Sequence, residues 1–239
     1  MLDPASLTSK IKDEARALGF DLVGVAPVSP SEHAEFLRNW LNSGHHGEMA
    51  YLARPDAVQH RVDPASGWPA LKSAIVVTQN YFVERAADRD AIIARYAHGR
   101  DYHKVVKAKL MKLLRFIERE TGQQLPAARA YVDTGPVLER EYARRAGLGW
   151  FGRNTMLINP RKGSYFFLAT LLIELELEYD SPFADDHCGT CSACVSGCPT
   201  GALLGRDARG APVMDVRRCI SYLTIEQRGP IPRELRRAI

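Results

Sequence analysis

The 239-residue sequence predicts an α/β (α+β) core followed by a small cysteine-rich module. Three observations carry that prediction. Helical and strand-like periodicities alternate up to about residue 180, the pattern of a layered domain. Four of the five cysteines fall between Cys188 and Cys198, and the fifth, Cys219, follows shortly. Between them, Asp180-Ser-Pro-Phe-Ala-Asp-Asp186 is polar and proline-bearing, which sets a boundary between a core over 1–180 and a module over 181–239.

Taken in order, Asp3 as N-cap and Pro4 at the first helical position open a helix with Leu7, Ile11 and Leu18 inward, and Gly19 stops it. Phe20 to Ala26 reads as a strand. Ser29-Pro-Ser-Glu32 has the spacing of a capping box and opens a second helix that ends at Gly44. Ala74 to Thr78 is a buried strand. A long amphipathic helix runs from about Asp101 to Glu120, with Val105, Val106, Leu110, Leu113, Leu114 and Ile117 inward. A short strand ends at Asp133, and a helix opens at Pro136 and closes at Gly147. Strands follow at Met156–Asn159 and Ser164–Glu178, the alternating tail from Ile173 to Glu178 reading as half-exposed. There is no internal repeat and no low-complexity tract.

Composition is that of an ordinary folded protein, 46% hydrophobic and 25% charged. The longest apolar stretch, Tyr165 to Ile173, is too short to cross a bilayer. Met1-Leu-Asp-Pro has neither the basic segment nor the apolar core of a signal peptide, so a soluble cytoplasmic protein with no membrane partner is expected. The net charge of +4 is mild. Lys104, Lys107, Lys109, Lys112, Arg115 and Arg119 nevertheless crowd one predicted helix, and Arg233, Arg236 and Arg237 crowd the C-terminus. From charge alone a solvated face is the better reading, with a polyanion such as RNA as the alternative, since phosphate neutralisation needs such clusters.

In a reducing compartment a tight cysteine cluster points to metal before disulfides. Cys188, Cys191, Cys194 and Cys198-Pro199 follow the bacterial ferredoxin run, in which two-residue gaps let successive sulfurs wrap one face of a cubane. Zinc sites more often pair two separated knuckles. The expectation is therefore a ferredoxin-like 4Fe-4S module with Cys219 as a further ligand. Two cubanes of four thiolates each exceed the five available. Either one cluster is held or ligands lie beyond this sequence, and Pro232 to Ile239 reads as a helix stopped in mid-course, as in a truncated chain.

Five further segments carry a resemblance: His46-Gly-Glu-Met-Ala-Tyr-Leu-Ala-Arg54, Tyr96-Ala-His-Gly-Arg-Asp-Tyr-His-Lys104, Val132-Asp-Thr-Gly-Pro-Val-Leu-Glu-Arg140, Ala146-Gly-Leu-Gly-Trp-Phe-Gly152 and Arg217-Arg-Cys-Ile-Ser-Tyr-Leu-Thr224. With them, from about residue 10 onward, the chain resembles the epoxyqueuosine reductases, cobalamin-dependent iron–sulfur enzymes of queuosine tRNA modification. The resemblance implies a catalytic core and a two-cluster module with cobalamin between them. It also implies an epoxide substrate at the wobble position of a tRNA anticodon loop, an external electron donor and a monomer. Family members continue past the point matching Ile239 into a second cysteine motif. By that correspondence Cys188, Cys191 and Cys194 serve one cluster, and Cys198 and Cys219 the other.

Residue by residue, the resemblance and the bland reading compete. Asp133 matches the family's proton donor, where spacing alone suggests a turn former. Opening an epoxide and expelling hydroxide both leave charge on oxygen, which a positioned acid relieves, and a carboxyl does so near neutral pH only if burial raises its pKa. Arg54, otherwise a surface cation, corresponds to a contact at the cobalamin periphery. Tyr102 and His103, otherwise half-buried aromatics, correspond to the cofactor pocket, as does Ser221 beside Cys219. Asn154 and Thr155, with the Gly147–Gly152 loop, form a structural turn or a close approach to the corrin. His45, His46, His60, His98 and His187 show no ligand spacing. Two rivals remain: a ferredoxin-type electron carrier, and a cobalamin-dependent reductase of small halogenated molecules. No flavin fingerprint is present.

Overall fold

The computed structural model describes residues 3–84 and 93–239. Its first half contains α1 (Pro4–Ala17), β1 (Leu22–Pro27), α2 (Ala34–Asn42), α3 (Pro55–Val62), α4 (Pro64–Gly67), β2 (Ser73–Asn80) and α5 (Tyr102–Thr121). Then come β3 (Arg129–Tyr131), α6 (Glu139–Arg145), β4 (Trp150–Phe151), β5 (Leu157–Ile158) and β6 (Phe166–Ile173). The cysteine-rich part holds α7 (Ala193–Ser196), β7 (Leu203–Arg206), β8 (Pro212–Met214) and α8 (Ile220–Ile225).

The central sheet has the order β1-β2-β6-β3, and each neighbouring pair is antiparallel. The alternation of helix and strand thus builds an α+β layer rather than a parallel sheet. Both faces are covered, which explains why β2 and β6 read as continuous apolar runs. On one face Ile75, Val77, Leu171 and Ile173 meet Leu7 and Ile11 of α1 and Leu110, Leu113 and Ile117 of α5. On the other, Ala74, Val76 and Leu172 meet Tyr142 and Ala143 of α6, with Ala146 and Leu148 beyond it. Each fully buried leucine or isoleucine here contributes roughly 1.5–3 kcal/mol.

The helix signals hold at α1 and α5. Asp3 Oδ2 accepts from Ser6 N at 3.2 Å, and Gly19 follows α1 at φ +82°. Asp101 caps α5 by accepting from His103 N at 3.0 Å, and Gly122 ends it at φ +66°.

Three expectations are corrected. No capping box forms at Ser29–Glu32, because its side chains are engaged elsewhere. Ser29 Oγ accepts from Arg145, Glu32 pairs with Arg144, Ser31 Oγ donates to Glu141 Oε2 at 2.5 Å, and α2 begins only at Ala34. Glu141 is buried, and burial alone would raise its pKa; the bonds from His33 and Ser31 outweigh that and hold it below the usual carboxylate range. The alternating tail after Ile173 is not a strand. Its backbone is tied by side chains: Ser73 Oγ donates to Leu175 O at 2.7 Å and accepts from Leu177 N at 3.2 Å, and Thr8 Oγ1 accepts from Glu178 N at 2.9 Å. Finally, Arg233–Ala238 winds into 3-10 turns rather than an α-helix.

The cysteine-rich part leans on the core. Val216, Tyr222 and Leu223 form a small apolar cluster with Trp40 and Met49. Trp40 Nε1 donates to Met214 O at 2.7 Å, and Glu48 N donates to the Tyr222 hydroxyl at 2.9 Å.

Candidate functional site

β3 stops at Tyr131 because the chain turns at Asp133, whose φ of +62° is left-handed. Aspartate tolerates that region better than most residues with a Cβ, but the conformation costs on the order of 1 kcal/mol and must be held. Thr134 N donates to Val132 O at 2.8 Å and closes the turn. Gly135 presses on the Tyr131 ring so tightly that a Cβ would fall 2.0 Å from Cδ1. Asp133 N donates to Glu139 Oε2 at 3.0 Å, so the first residue of α6 reaches back to tie the turn.

The Asp133 carboxylate makes no Asx bond to its own turn. Its hydrogen-bond partner is the Tyr102 hydroxyl, which donates to Oδ2 at 2.8 Å. The backbone of Asp133 makes the turn, while its side chain faces another element. Tyr102 is placed at the start of α5 by stacking, with its ring 3.8 Å from that of Phe167 and 2° from parallel. Rings continue from Phe167 through Tyr81 to Tyr165 and Phe82, with the Arg95 guanidinium 5.0 Å over Phe82. An aromatic strip thus runs from the acid to the surface.

The electrostatics around Asp133 are unusual. Burial, then the nearby charge of Asp133, pushes Glu139 up to about 8. Its Oε1 is buried and has no hydrogen-bond partner. Burial, then the bond to Asp133, raises Tyr102 well above the ordinary phenol range. Arg140 is exposed, yet desolvation by the protein atoms around it lowers its guanidinium pKa. In the 3-10 turn Ala50–Leu52, Tyr51 is raised by burial and by Glu226, and Asp133 lies within its electrostatic reach. A separate polar cavity of about 230 Å³, lined by His33, Phe151 and Arg206, includes none of the candidate catalytic, cofactor or metal residues.

Of the expected cofactor residues, only Tyr102 touches Asp133. Arg54 is exposed before α3, with Nη2 3.3 Å from Asp56 Oδ2. His103 Nδ1 lies 2.9 Å from Asp101 Oδ1. Asn154 and Thr155 shape the β4–β5 turn: Asn154 Oδ1 accepts from Met156 N at 3.1 Å, and Thr155 is left-handed at φ +67°. Ser221 is exposed in the first turn of α8. The glycines of the 147–152 loop need no ligand to explain them, since a Cβ on Gly149 would lie 2.1 Å from Ile158 O and one on Gly152 2.5 Å from Ile158 Cδ1. Glu139 and Arg140 were missed in the sequence because nothing in Leu-Glu-Arg signals a buried, unpaired carboxyl oxygen.

The five thiols are free. Among the described residues, no three His, Cys, Asp or Glu side chains converge at ion-holding distance. The donor set still suits iron–sulfur chemistry, being soft sulfur offered near N–H groups. Cys198 Sγ accepts from Ala202 N at 3.3 Å. Burial opposes the thiolate there, but hydrogen bonds from Leu203, Thr200 and Ala202 together lower its pKa. Cys188 Sγ accepts from Trp150 Nε1 at 3.4 Å. On α5 one lysine departs from the basic face: Lys109 Nζ donates to Gln79 Oε1 at 2.5 Å and lies 5.4 Å over the Phe20 ring, an internal role.

An exposed acid on an α+β core and a module of five free thiols packed against that core place the chain, by its sulfur donor set, with iron–sulfur proteins. Comparisons narrow the class. Residues 61–134 match the family model "Epoxyqueuosine reductase QueG, DUF1730", and 187–239 match "4Fe-4S double cluster binding domain". The epoxyqueuosine reductase of Cyclobacterium marinum is 44% identical over 94% of this chain and 71% of its own length. That of Pseudomonas aeruginosa is 43% identical over 98% of this chain and 64% of its own length. A crystal structure of epoxyqueuosine reductase with a tRNA-Tyr epoxyqueuosine-modified stem loop superposes with TM-score 0.83 at 30% identity, covering 95% of this chain and 59% of that one. The chain belongs to the epoxyqueuosine reductase family. It spans roughly two thirds of the length of these relatives, 64% of the Pseudomonas aeruginosa protein.

Proposed function

We propose that this chain forms the catalytic core, 1–180, and the first part of the cluster module, 181–239, of an enzyme that reduces epoxyqueuosine to queuosine at the tRNA wobble position. The observation that carries the reading is the exposed Asp133 carboxyl, set in a left-handed turn and hydrogen-bonded to Tyr102. A reductive epoxide opening needs an acid so placed, and the acid belongs to the chain whatever supplies the electrons.

Cysteines 188, 191, 194, 198 and 219 would bind 4Fe-4S clusters, and Arg54, Tyr102, His103, Asn154, Thr155 and Ser221 would hold cobalamin. The five sulfur donors suit iron, and the exposed carboxyl of Asp133 with the stacked rings of Tyr102 and Phe167 beside it suits a large cofactor with polar and flat surfaces. When bound, these groups supply single electrons and a strongly reducing metal centre. The protein's own work is to orient and to move protons. Tyr102 fixes the Asp133 carboxyl by donating to Oδ2, leaving Oδ1 as the oxygen that carries the proton toward the substrate. The aromatic strip from Phe167 to Phe82, capped by Arg95, offers flat surfaces against which unpaired loop bases stack. The base enters without melting a duplex, because it lies in a loop. A monomer served by an external electron donor completes the reading. Among the described residues no helix is long and apolar enough to cross a membrane.

The test is Asp133→Asn in the full-length holoenzyme. Asn is nearly isosteric but holds no transferable acid proton. Cobalamin and iron contents should be unchanged, while conversion of epoxyqueuosine in tRNA hydrolysates under chemical reduction falls on the order of 100- to 10,000-fold. Wild-type turnover in the variant would remove Asp133 from the mechanism. Absence of cobalamin binding in the wild type would return the chain to the electron-carrier class.

A further inference from the structure

The proton donor of this site has a difficulty of its own. Asp133 is exposed, whereas a carboxyl that donates near neutral pH needs surroundings that retain its proton. Those surroundings exist one residue away in space, at Glu139. We infer that Glu139 and Asp133 act as a carboxyl pair sharing one proton, Glu139 holding the left-handed Asp133 backbone in place and keeping the proton in reserve. This rests on the reading of Asp133 as the donor.

The geometry assigns the two oxygens of Glu139 different tasks. Oε2 accepts from Asp133 N at 3.0 Å and so occupies the backbone donor of the strained turn. Oε1 is buried with no partner. An ionised carboxylate leaves charge on that oxygen with neither solvent nor a donor to stabilise it, and a protonated one does not. The titratable groups that act on Glu139 are Asp133, which resists its ionisation, and Arg140, which favours it, and Tyr102 feels the Glu139 charge in turn. Burial and Asp133 prevail, and the pKa stands at about 8. The proton of the pair therefore stays on Glu139 at neutral pH. The neighbours of Asp133 are equally divided: Tyr102 donates to Oδ2.

The proton balance is simple. The shared proton rests on Glu139; its O–H bond breaks as one forms on Asp133, and that bond breaks as one forms on the substrate oxygen, leaving two carboxylates. A proton from solvent then enters at the exposed Asp133 and returns to Glu139. No electron is transferred in these steps. A group whose pKa is raised on folding keeps its proton at neutral pH and loses it as pH rises through about 8, so the reserve is present below that pH and gone above it.

Glu139→Gln separates the two tasks, because the amide oxygen still accepts from Asp133 N but the side chain no longer carries an acid proton. Two measurements on the full-length protein decide. In the cobalamin-free protein, infrared difference spectra should show a carboxylic C=O band at neutral pH that disappears as pH passes about 8 and is missing in Glu139→Gln. In the holoenzyme, Glu139→Gln should lower turnover at neutral pH on the order of 100-fold and shift the alkaline fall of the pH–rate profile to lower pH, with iron and cobalamin contents unchanged. A band that survives in Glu139→Gln overturns the inference. So does a Gln variant with the wild-type rate and profile, since a residue that merely anchors the backbone is rescued by Gln. If wild-type enzyme fails to turn over epoxyqueuosine, the proposed function falls while the infrared arm still decides the pair.

Discussion

Replacing Gly24 by alanine tests the packing that carries the site. Gly24 lies in β1 opposite Val76 and under the C-terminal end of α6. An added Cβ would stand 2.2 Å from Ala146 O, 3.0 Å from Ala146 Cβ and 3.1 Å from Leu148 Cδ2. The leucine tip can rotate away. The Ala146 carbonyl cannot, because it belongs to backbone locked by Ala146 N donating to Tyr142 O at 2.8 Å and Leu148 N to Ala143 O at 2.9 Å. The whole end of α6 must therefore retreat by about an ångström from a close-packed interface. Overpacking of this kind costs about 1–3 kcal/mol, and an immovable backbone obstacle places it at the upper end. For a chain of this size each kcal/mol lowers Tm by about 2–4 °C, so a fall of about 6–12 °C is expected. Thermal melts followed by circular dichroism, with urea midpoints as a second measure, provide the assay. The other end of α6 carries Glu139, so the same shift loosens its bond to Asp133 and lowers turnover of the full-length enzyme as well. A variant that melts within about 2 °C of wild type would refute the assigned packing of α6 on β1.

Two further outcomes follow from the surface and the thiols. Reversing Lys107 and Lys112 to Glu, both exposed on α5, should weaken binding of every tRNA to a similar degree and flatten the dependence of log affinity on log salt. An unchanged salt slope in a folded, cofactor-loaded variant would mean that the RNA docks elsewhere. Cys191→Ala in anaerobically reconstituted full-length protein should remove iron, acid-labile sulfide and most of one cluster's visible absorbance, and tightly bound zinc without sulfide in the wild type would sink the iron–sulfur assignment.

Much of this was legible along the chain because it depends on neighbours in sequence. The apolar spacing of Leu7 and Ile11, and of Leu110, Leu113 and Ile117, sets α1 and α5, and Asp3 and Asp101 cap them, since a cap and a helical stripe act within a turn or two. The spacing of Cys188 to Cys198 likewise carries its chemistry in a single loop. Asp133 was found through its segment rather than through any local signal. What sequence by itself could not determine are features whose partners lie far along the chain. The segment after Ile173 alternates like a strand, but Ser73 and Thr8 hold its backbone from 104 and 170 residues away. Ser29 and Glu32 have the letters of a capping box, yet the side chains of Arg145 and Arg144, 116 and 112 residues on, engage them instead. Lys109 belongs to a basic face by periodicity and to Gln79 by contact. Glu139, six residues from Asp133, is unremarkable in the sequence; burial leaves one of its oxygens unpartnered, and only folding, which brings α6 back against the β3 turn, creates that burial.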